Sequence, residues 1–176
     1  MRWNERLNMV RWVGQRSGGT GGFTLIELLI VIVILAISAA IVVPMASSAA
    51  SMQLRSAANM VAADLEYAKS LAIGTGQSHS VEFDAINEGY WIEDATGTTI
   101  DNPVKKDFPY SISFPNDGRL DRVEIVSTTF SSDTVSFNYL GSPTAGGSIT
   151  LQAGVSQRDV TVEAVTGFID INDNPN

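Results

Sequence analysis

The sequence predicts an α+β fold: one long N-terminal helix followed by an antiparallel β domain. Three observations carry this. Residues 23–43 form an unbroken apolar run in which Thr24, Glu27 and Ser38 are the only polar residues. Residues 45–73 keep a helical composition but turn amphipathic. From residue 77 onward apolar and polar residues alternate in short runs between turn signals, the pattern of sheets with one buried face.

The apolar run comes first. At about 1.5 Å per residue it would span roughly 30 Å as a helix, the thickness of a hydrocarbon core. It is predicted to be a transmembrane segment over 23–44, with Pro44 bending the helix where its missing N–H breaks a backbone hydrogen bond. Beyond it, Leu54, Ala57, Ala58, Val61, Leu65, Ala68, Leu71 and Ala72 recur at three- and four-residue steps. Arg55, Asp64, Glu66 and Lys69 lie mostly off that stripe. Gly74 and Gly76 stop the helix. One helix of about 50 residues over 23–73 is expected, its second half (45–74) packed on a domain over 77–176.

In that domain strands are predicted at 79–84, 89–94, 123–128, 134–140, 148–152, 159–165 and 167–171. A short one is expected near 110–114. Turns are expected at 87–89, 116–118, 141–143 and 146–147, where Asn, Asp, Gly, Ser and Pro cluster. Residues 95–122 read as a long loop and a place for partner contacts. Phe83, Tyr90, Trp91, Phe137 and Tyr139 are expected in the core.

Charge is divided along the chain. Residues 1–22 hold four arginines and one acid, while the seven basic and eighteen acidic residues from Phe23 onward give a net charge of −11. A basic head before an apolar segment stays cytoplasmic, and an acidic body crosses more readily. Residues 17–22, SGGTGG, suit an accessible cleavage site, and 1–22 reads as a removable leader. With no cysteine, thiol catalysis and thiolate metal ligation are excluded. A net acidic domain disfavours nucleic acid, and Arg119, Arg122 and Arg158 lie among many acids.

Glu27 is the unusual residue. A charge deep in the bilayer costs about 2.5–3.5 kcal/mol on insertion scales. Cleavage between Gly22 and Phe23 would create an α-amino cation four residues from it. That amine could answer Glu27 within one chain or across two, and the second arrangement would set the stagger between neighbouring helices.

Residues 22–27, GFTLIE, with the apolar run and Pro44 behind them, resemble the prepilin signature of type IV pilins and type II secretion pseudopilins. The resemblance implies that a membrane prepilin peptidase cuts after Gly22 and methylates Phe23. It implies too that Glu27 sets register, with Glu27 and Pro44 serving assembly. Residues 55–73, the 79–83 strand and the ending with FNYLG at 137–141 and TGFI at 166–169 resemble the GspH/FimT-type minor pseudopilins. That implies a helix packed on two small sheets, and a periplasmic pseudopilus built from the inner membrane by an assembly platform and other pseudopilins. A minor pilin of a type IV pilus is the alternative. No cofactor, small-molecule substrate or nucleic acid is expected.

Other readings are weaker. A conventional signal peptide cut within 46–50 would need a shorter apolar run without Glu27. A plain single-pass anchor leaves Glu27 unexplained. An enzyme would have only His79 as base, and Ser78 and Ser80 point to the opposite face of a strand. Asp170, Asn172 and Asn174 space oxygen ligands as at the start of a calcium loop, but Pro175 stands where glycine is needed. The reading there is a solvated tail without a metal.

Overall fold

The computed structural model describes residues 22–174, and the side chains of 40–48 lie outside what it describes. The chain divides into two units, Met1–Ala40 and Ile41–Asn176. Helix α1 (Leu25–Thr75) contributes to both.

In the first unit the described helix is apolar on all sides. Its large side chains from Leu25 to Ile37 are all exposed. The expected bend and assembly role of Pro44 lie outside the residues with described side chains. So does the end of the expected membrane segment. Among the described residues, no helix is long and apolar enough to cross a membrane.

In the second unit α1 packs against two four-stranded antiparallel sheets. β1 (His79–Asp84), β2 (Gly89–Glu93), β3 (Ser111–Ser113) and β5 (Thr134–Phe137) form one sheet in the order β3-β2-β1-β5. β4 (Glu124–Thr128), β6 (Gly147–Ala153), β7 (Ser156–Val162) and β8 (Ile169–Asn174) form the other, in the order β4-β6-β7-β8. One core joins them. Val81, Phe83, Tyr90, Ile92, Val135 and Phe137 enter it from the first sheet, and Ile125, Ile149, Leu151, Val160 and Val162 from the second. The helix supplies Leu54, Val61 and Leu65, with Ala57, Ala58, Ala68 and Ala72 between them. Alanines keep that face low, so bulky strand residues approach the helix closely.

Several expectations are corrected. Leu71 is only half-buried, and Ala72 takes the last buried position of the stripe. Asp64 sits on the buried face, not off it. β5 ends at Phe137 because the Asn138 carboxamide accepts the N–H groups of Leu140 and Ser142, a local turn that competes with the ladder. Tyr139 is consequently exposed rather than in the core. β7 starts at Ser156, three residues early, after a two-residue turn in which Gly154 takes φ +62°. The 170–174 segment is not a solvated tail but part of β8. There Arg158 pairs with Asp173 at 2.6 Å, and the Asn174 amide donates to Asp159 at 3.0 Å. No group of three metal-ligating side chains occurs among the described residues.

Turn chemistry ties the sheets together. The Asp84 carboxylate accepts the N–H groups of Ile86 and Asn87 and the Asn87 amide, closing the β1–β2 turn. Glu88 follows at φ +52°, and its carboxylate accepts the Ile125 N–H of β4. A residue between strands of one sheet thus holds an edge strand of the other. A bulge between Ile125 and Ser127 further interrupts that edge.

Candidate functional site

The head of α1 is built from a capping arrangement. Thr24 stands just before the helix and its hydroxyl accepts the Glu27 N–H at 3.2 Å. Its carbonyl takes the Leu28 N–H at 3.1 Å. Thr-x-x-Glu is the sequence form of a capping box, a signal that reading the segment only for apolar length overlooks. The helix therefore starts at Leu25, two residues after the expected Phe23. Phe23 lies outside the first turn, and the four-residue spacing to Glu27 is not a helical i,i+4 pair here. Glu27 is exposed in that first turn, where the unpaired N–H groups of the helix favour a carboxylate by about 0.3–1 kcal/mol.

Gly22 precedes this cap. A side chain there would meet nothing within 4 Å, so the chain's own packing makes no demand for glycine at that position.

The remaining sequence candidates are structural. His79 opens β1 facing the core, with Nδ1 3.3 Å from the Gln77 carbonyl oxygen. Of the arginines set against a nucleic-acid role, Arg119 pairs with Asp117 at 2.6 Å and Arg158 with Asp173. The Arg119 guanidinium holds the Asp117 carboxyl down to about 2.

A second cluster escaped sequence reasoning. Asp64 of α1 accepts the Tyr90 hydroxyl on one oxygen and the Tyr110 hydroxyl on the other, both at 2.7 Å. Burial pushes its carboxyl above the ordinary 3.8, and the two tyrosine bonds pull less strongly the other way. Burial, then Asp64 itself, pushes both phenols up, so they stay protonated donors. Tyr67 on the next helical turn packs its ring 5.7 Å from that of Tyr110. The cluster fastens the helix to the first sheet. In the sequence Asp64 reads only as one of the charged residues off the apolar stripe, and nothing there marks its partners.

Comparison with known proteins agrees with this architecture. The family described as type II transport protein GspH matches residues 57–166, and the prokaryotic N-terminal methylation motif matches residues 19–43. The minor pseudopilin EpsH from the type 2 secretion system of Vibrio cholerae aligns with a TM-score of 0.50 at 11% identity, over 69% of this chain and 97% of that one. The type IV minor pilin FimU of Pseudomonas aeruginosa aligns with a TM-score of 0.47 at 18% identity, over 69% of this chain and 88% of its own. No curated protein matches the sequence. A capped apolar helix continuing into two antiparallel sheets defines a pilin-like subunit. The chain belongs to the GspH family and is a minor pseudopilin of a type II secretion system, a structural protein and not an enzyme. This favours the secretion reading over the type IV pilus alternative.

Proposed function

We propose that the chain is made as a precursor held in the inner membrane by residues 23–44, cut between Gly22 and Phe23, methylated on Phe23, and added through its helix to a periplasmic pseudopilus. The observation that carries this reading is that the first part of α1, Leu25 to Ile37, exposes apolar side chains all round with a single carboxylate, Glu27, in its first turn. Such a surface is stable only against lipid or other apolar helices. The N-terminal methylation motif over 19–43 supports the processing step. Nothing in the chain's own packing asks for glycine at position 22, which supports a demand from the peptidase that cuts there.

Cleavage releases a cationic amine two residues before the helix. Methylation keeps its charge, so it remains a partner for a carboxylate. Glu27 of an incoming subunit pairs with the amine of one already in place. An unpaired charge among apolar helices penalises every other stagger, and the pair thereby fixes the rise between subunits. The partners are accordingly the prepilin peptidase and methyltransferase, the membrane assembly platform and the other pseudopilins.

N-terminal sequencing and intact mass of the membrane-extracted protein test this. The expected mature chain begins with methylated Phe23. A chain that keeps its leader, or that begins within 46–50, would refute it.

A further inference from the structure

The excursion between β2 and β3, residues 94–110, is ordered without entering the core. Its base is fixed by Ile100 N–H donating to the Ile92 carbonyl and Tyr110 N–H to the Ile100 carbonyl, at 2.9 and 2.8 Å. Its tip is a closed turn. Asn102 accepts the N–H groups of Val104 and Lys105 on its side chain, and its own N–H donates to Phe108. The tip presents Val104, Lys105, Lys106, Asp107 and Phe108, all exposed, two cations against one carboxylate. Two of the seven basic residues after Phe23 are thus adjacent on an acidic domain. Neither forms a salt bridge among the described residues.

Beside this tip lies an open groove of about 490 Å³, lined by Lys105, β3 itself, Asn116, Asp117 and Gly118. β3 is an edge strand. Its free side can be read from the ladder. Ile92 N–H donates to the Tyr110 carbonyl and Phe114 N–H to the Glu88 carbonyl, so in this register Ile112 is the residue turned toward Tyr90. Alternation then turns the main-chain groups of Ser111 and Ser113 away from β2, toward the open edge. The Ser111 N–H folds back on the Pro109 carbonyl at 2.9 Å. The Ser111 carbonyl and both main-chain groups of Ser113 remain directed outward. Asp117, the groove's one carboxylate, is already engaged by Arg119 through bonds of 3.0 and 2.6 Å.

We propose that the free edge of β3, the adjoining groove and the Lys105–Lys106 tip form a docking site for an extended, acidic segment of a partner protein. The segment adds a strand to β3, its main chain bonding Ser111 and Ser113. Its carboxylates reach the two lysines, and its apolar side chains lie against Val104 and Phe108. A three-residue edge offers too few main-chain bonds to hold a strand alone, so charge supplies the rest and selects acidic partners. The site lies outside the segment that assembly uses, so its failure would leave the processing and register proposals standing.

The test uses the processed full chain in neutral detergent. The probe is a fluorescent peptide of about ten residues alternating Glu with Val or Thr, long enough to cover the edge. The same peptide with Lys for Glu, and vesicles rich in anionic lipid, serve as competitors of other chemistry. The expected result is binding of the acidic peptide alone, with slowed hydrogen exchange at the Ser113 amide. Lys105→Glu with Lys106→Glu should weaken binding at least about tenfold. Gly118→Trp should do likewise by filling the groove, and a Cβ there meets nothing within 4 Å, so the backbone has room for a side chain to start from that position. Gly118→Gln provides a milder version. Binding that survives both Gly118 substitutions, or leaves Ser113 exchange unchanged, would reduce the site to charge attraction and overturn the proposal. Absence of peptide binding, or capture by anionic vesicles instead, would overturn it too.

Discussion

Replacing Asp64 by alanine should cost the domain about 3–4 kcal/mol. The carboxylate takes one hydroxyl on each oxygen, from Tyr90 and Tyr110, both at 2.7 Å. Hydrogen bonds to a charged acceptor contribute about 1.5–3 kcal/mol each. Removing both would cost more, but the desolvation of a buried carboxylate is relieved at the same time. Tyr90 is wholly buried, and its orphaned hydroxyl adds about 1–3 kcal/mol. Tyr110 is half-buried and can turn to water. The loss is thus a large fraction of a typical stability of about 5–15 kcal/mol. Tyr90→Phe alone should cost about 1.5–2 kcal/mol, since Asp64 keeps its Tyr110 bond. The double variant Asp64→Ala with Tyr90→Phe should be no less stable than Asp64→Ala, because no buried hydroxyl is then stranded. That is a coupling of about 1.5–2 kcal/mol. Urea unfolding of the processed chain followed by tryptophan fluorescence reads this directly. Of the three tryptophans, Trp3 and Trp12 fall in the proposed leader and Trp91 sits beside Tyr90 on β2. The linkage sign follows from the raised carboxyl. A folded group that holds its proton more tightly than the unfolded one stabilises most below the unfolded pKa, and that contribution is lost as pH rises through the folded value. Asp64→Asn should therefore show a shallower decline of the urea midpoint from about pH 4 upward than wild type. Additive single-variant losses, or an Asp64→Ala chain as stable as wild type, would refute the reasoning.

If the proposed peptidase, and not the chain's own packing, is what asks for glycine at position 22, Gly22→Asp should leave the precursor in the membrane with residues 1–22 attached, seen as an unshifted mass. Glu27→Val should ease insertion, by at most about 2.5–3.5 kcal/mol. It should nonetheless lower the fraction of subunit recovered in sheared pseudopili at least about tenfold, the equivalent of a lost ion pair among apolar helices. Gly89→Ala should cost about 1–3 kcal/mol, because its Cβ would stand 2.5 Å from the Ile112 carbonyl oxygen, a backbone atom that cannot step aside. Hydrogen exchange at Ile112 should quicken with it, while Gly118→Ala, with no neighbour within 4 Å, should change neither.

Much of the architecture was legible because it rests on periodicity. The stripe from Leu54 to Ala72 and the alternation in β1 and β5 are set by which side chains must leave water, and residue type alone reports that. What was not legible rests on polar groups that satisfy one another. Residues 156–159 of β7 are half-buried on both faces, between β6 and β8, and their polar run shows no alternation. Thr150 and Asn174 hydrogen-bond Asp159 from the two sides, partners 9 and 15 residues away. Asp64 was read as off the stripe for the same reason. Its partners lie 26 and 46 residues away, and nothing local marks Tyr90 as reaching it rather than only filling the core. Thr24 and Asn138 were different failures, since their capping and turn roles are local and were available in the sequence.

Asp64 also ties down a long excursion that adds nothing to the fully buried core. Among the described residues, none from 94 to 113 belongs to the fully buried core; Ile100, Tyr110 and Ile112 only pack against it. An excursion of that length would ordinarily be free to move, and ordering it on binding would cost affinity. Tyr110 closes the excursion and donates its hydroxyl to the helix, with the Tyr67 ring against its own. One side chain thus fixes the base of the tip to the helix. If the tip docks a partner, Tyr110→Phe should weaken peptide binding through loss of that order while leaving Lys105 and Lys106 in place. The stability cost should be smaller than for Tyr90→Phe, since Tyr110 is the half-buried member of the pair. A variant that loses stability and binding in strict proportion would instead mean that Tyr110 only supports the fold.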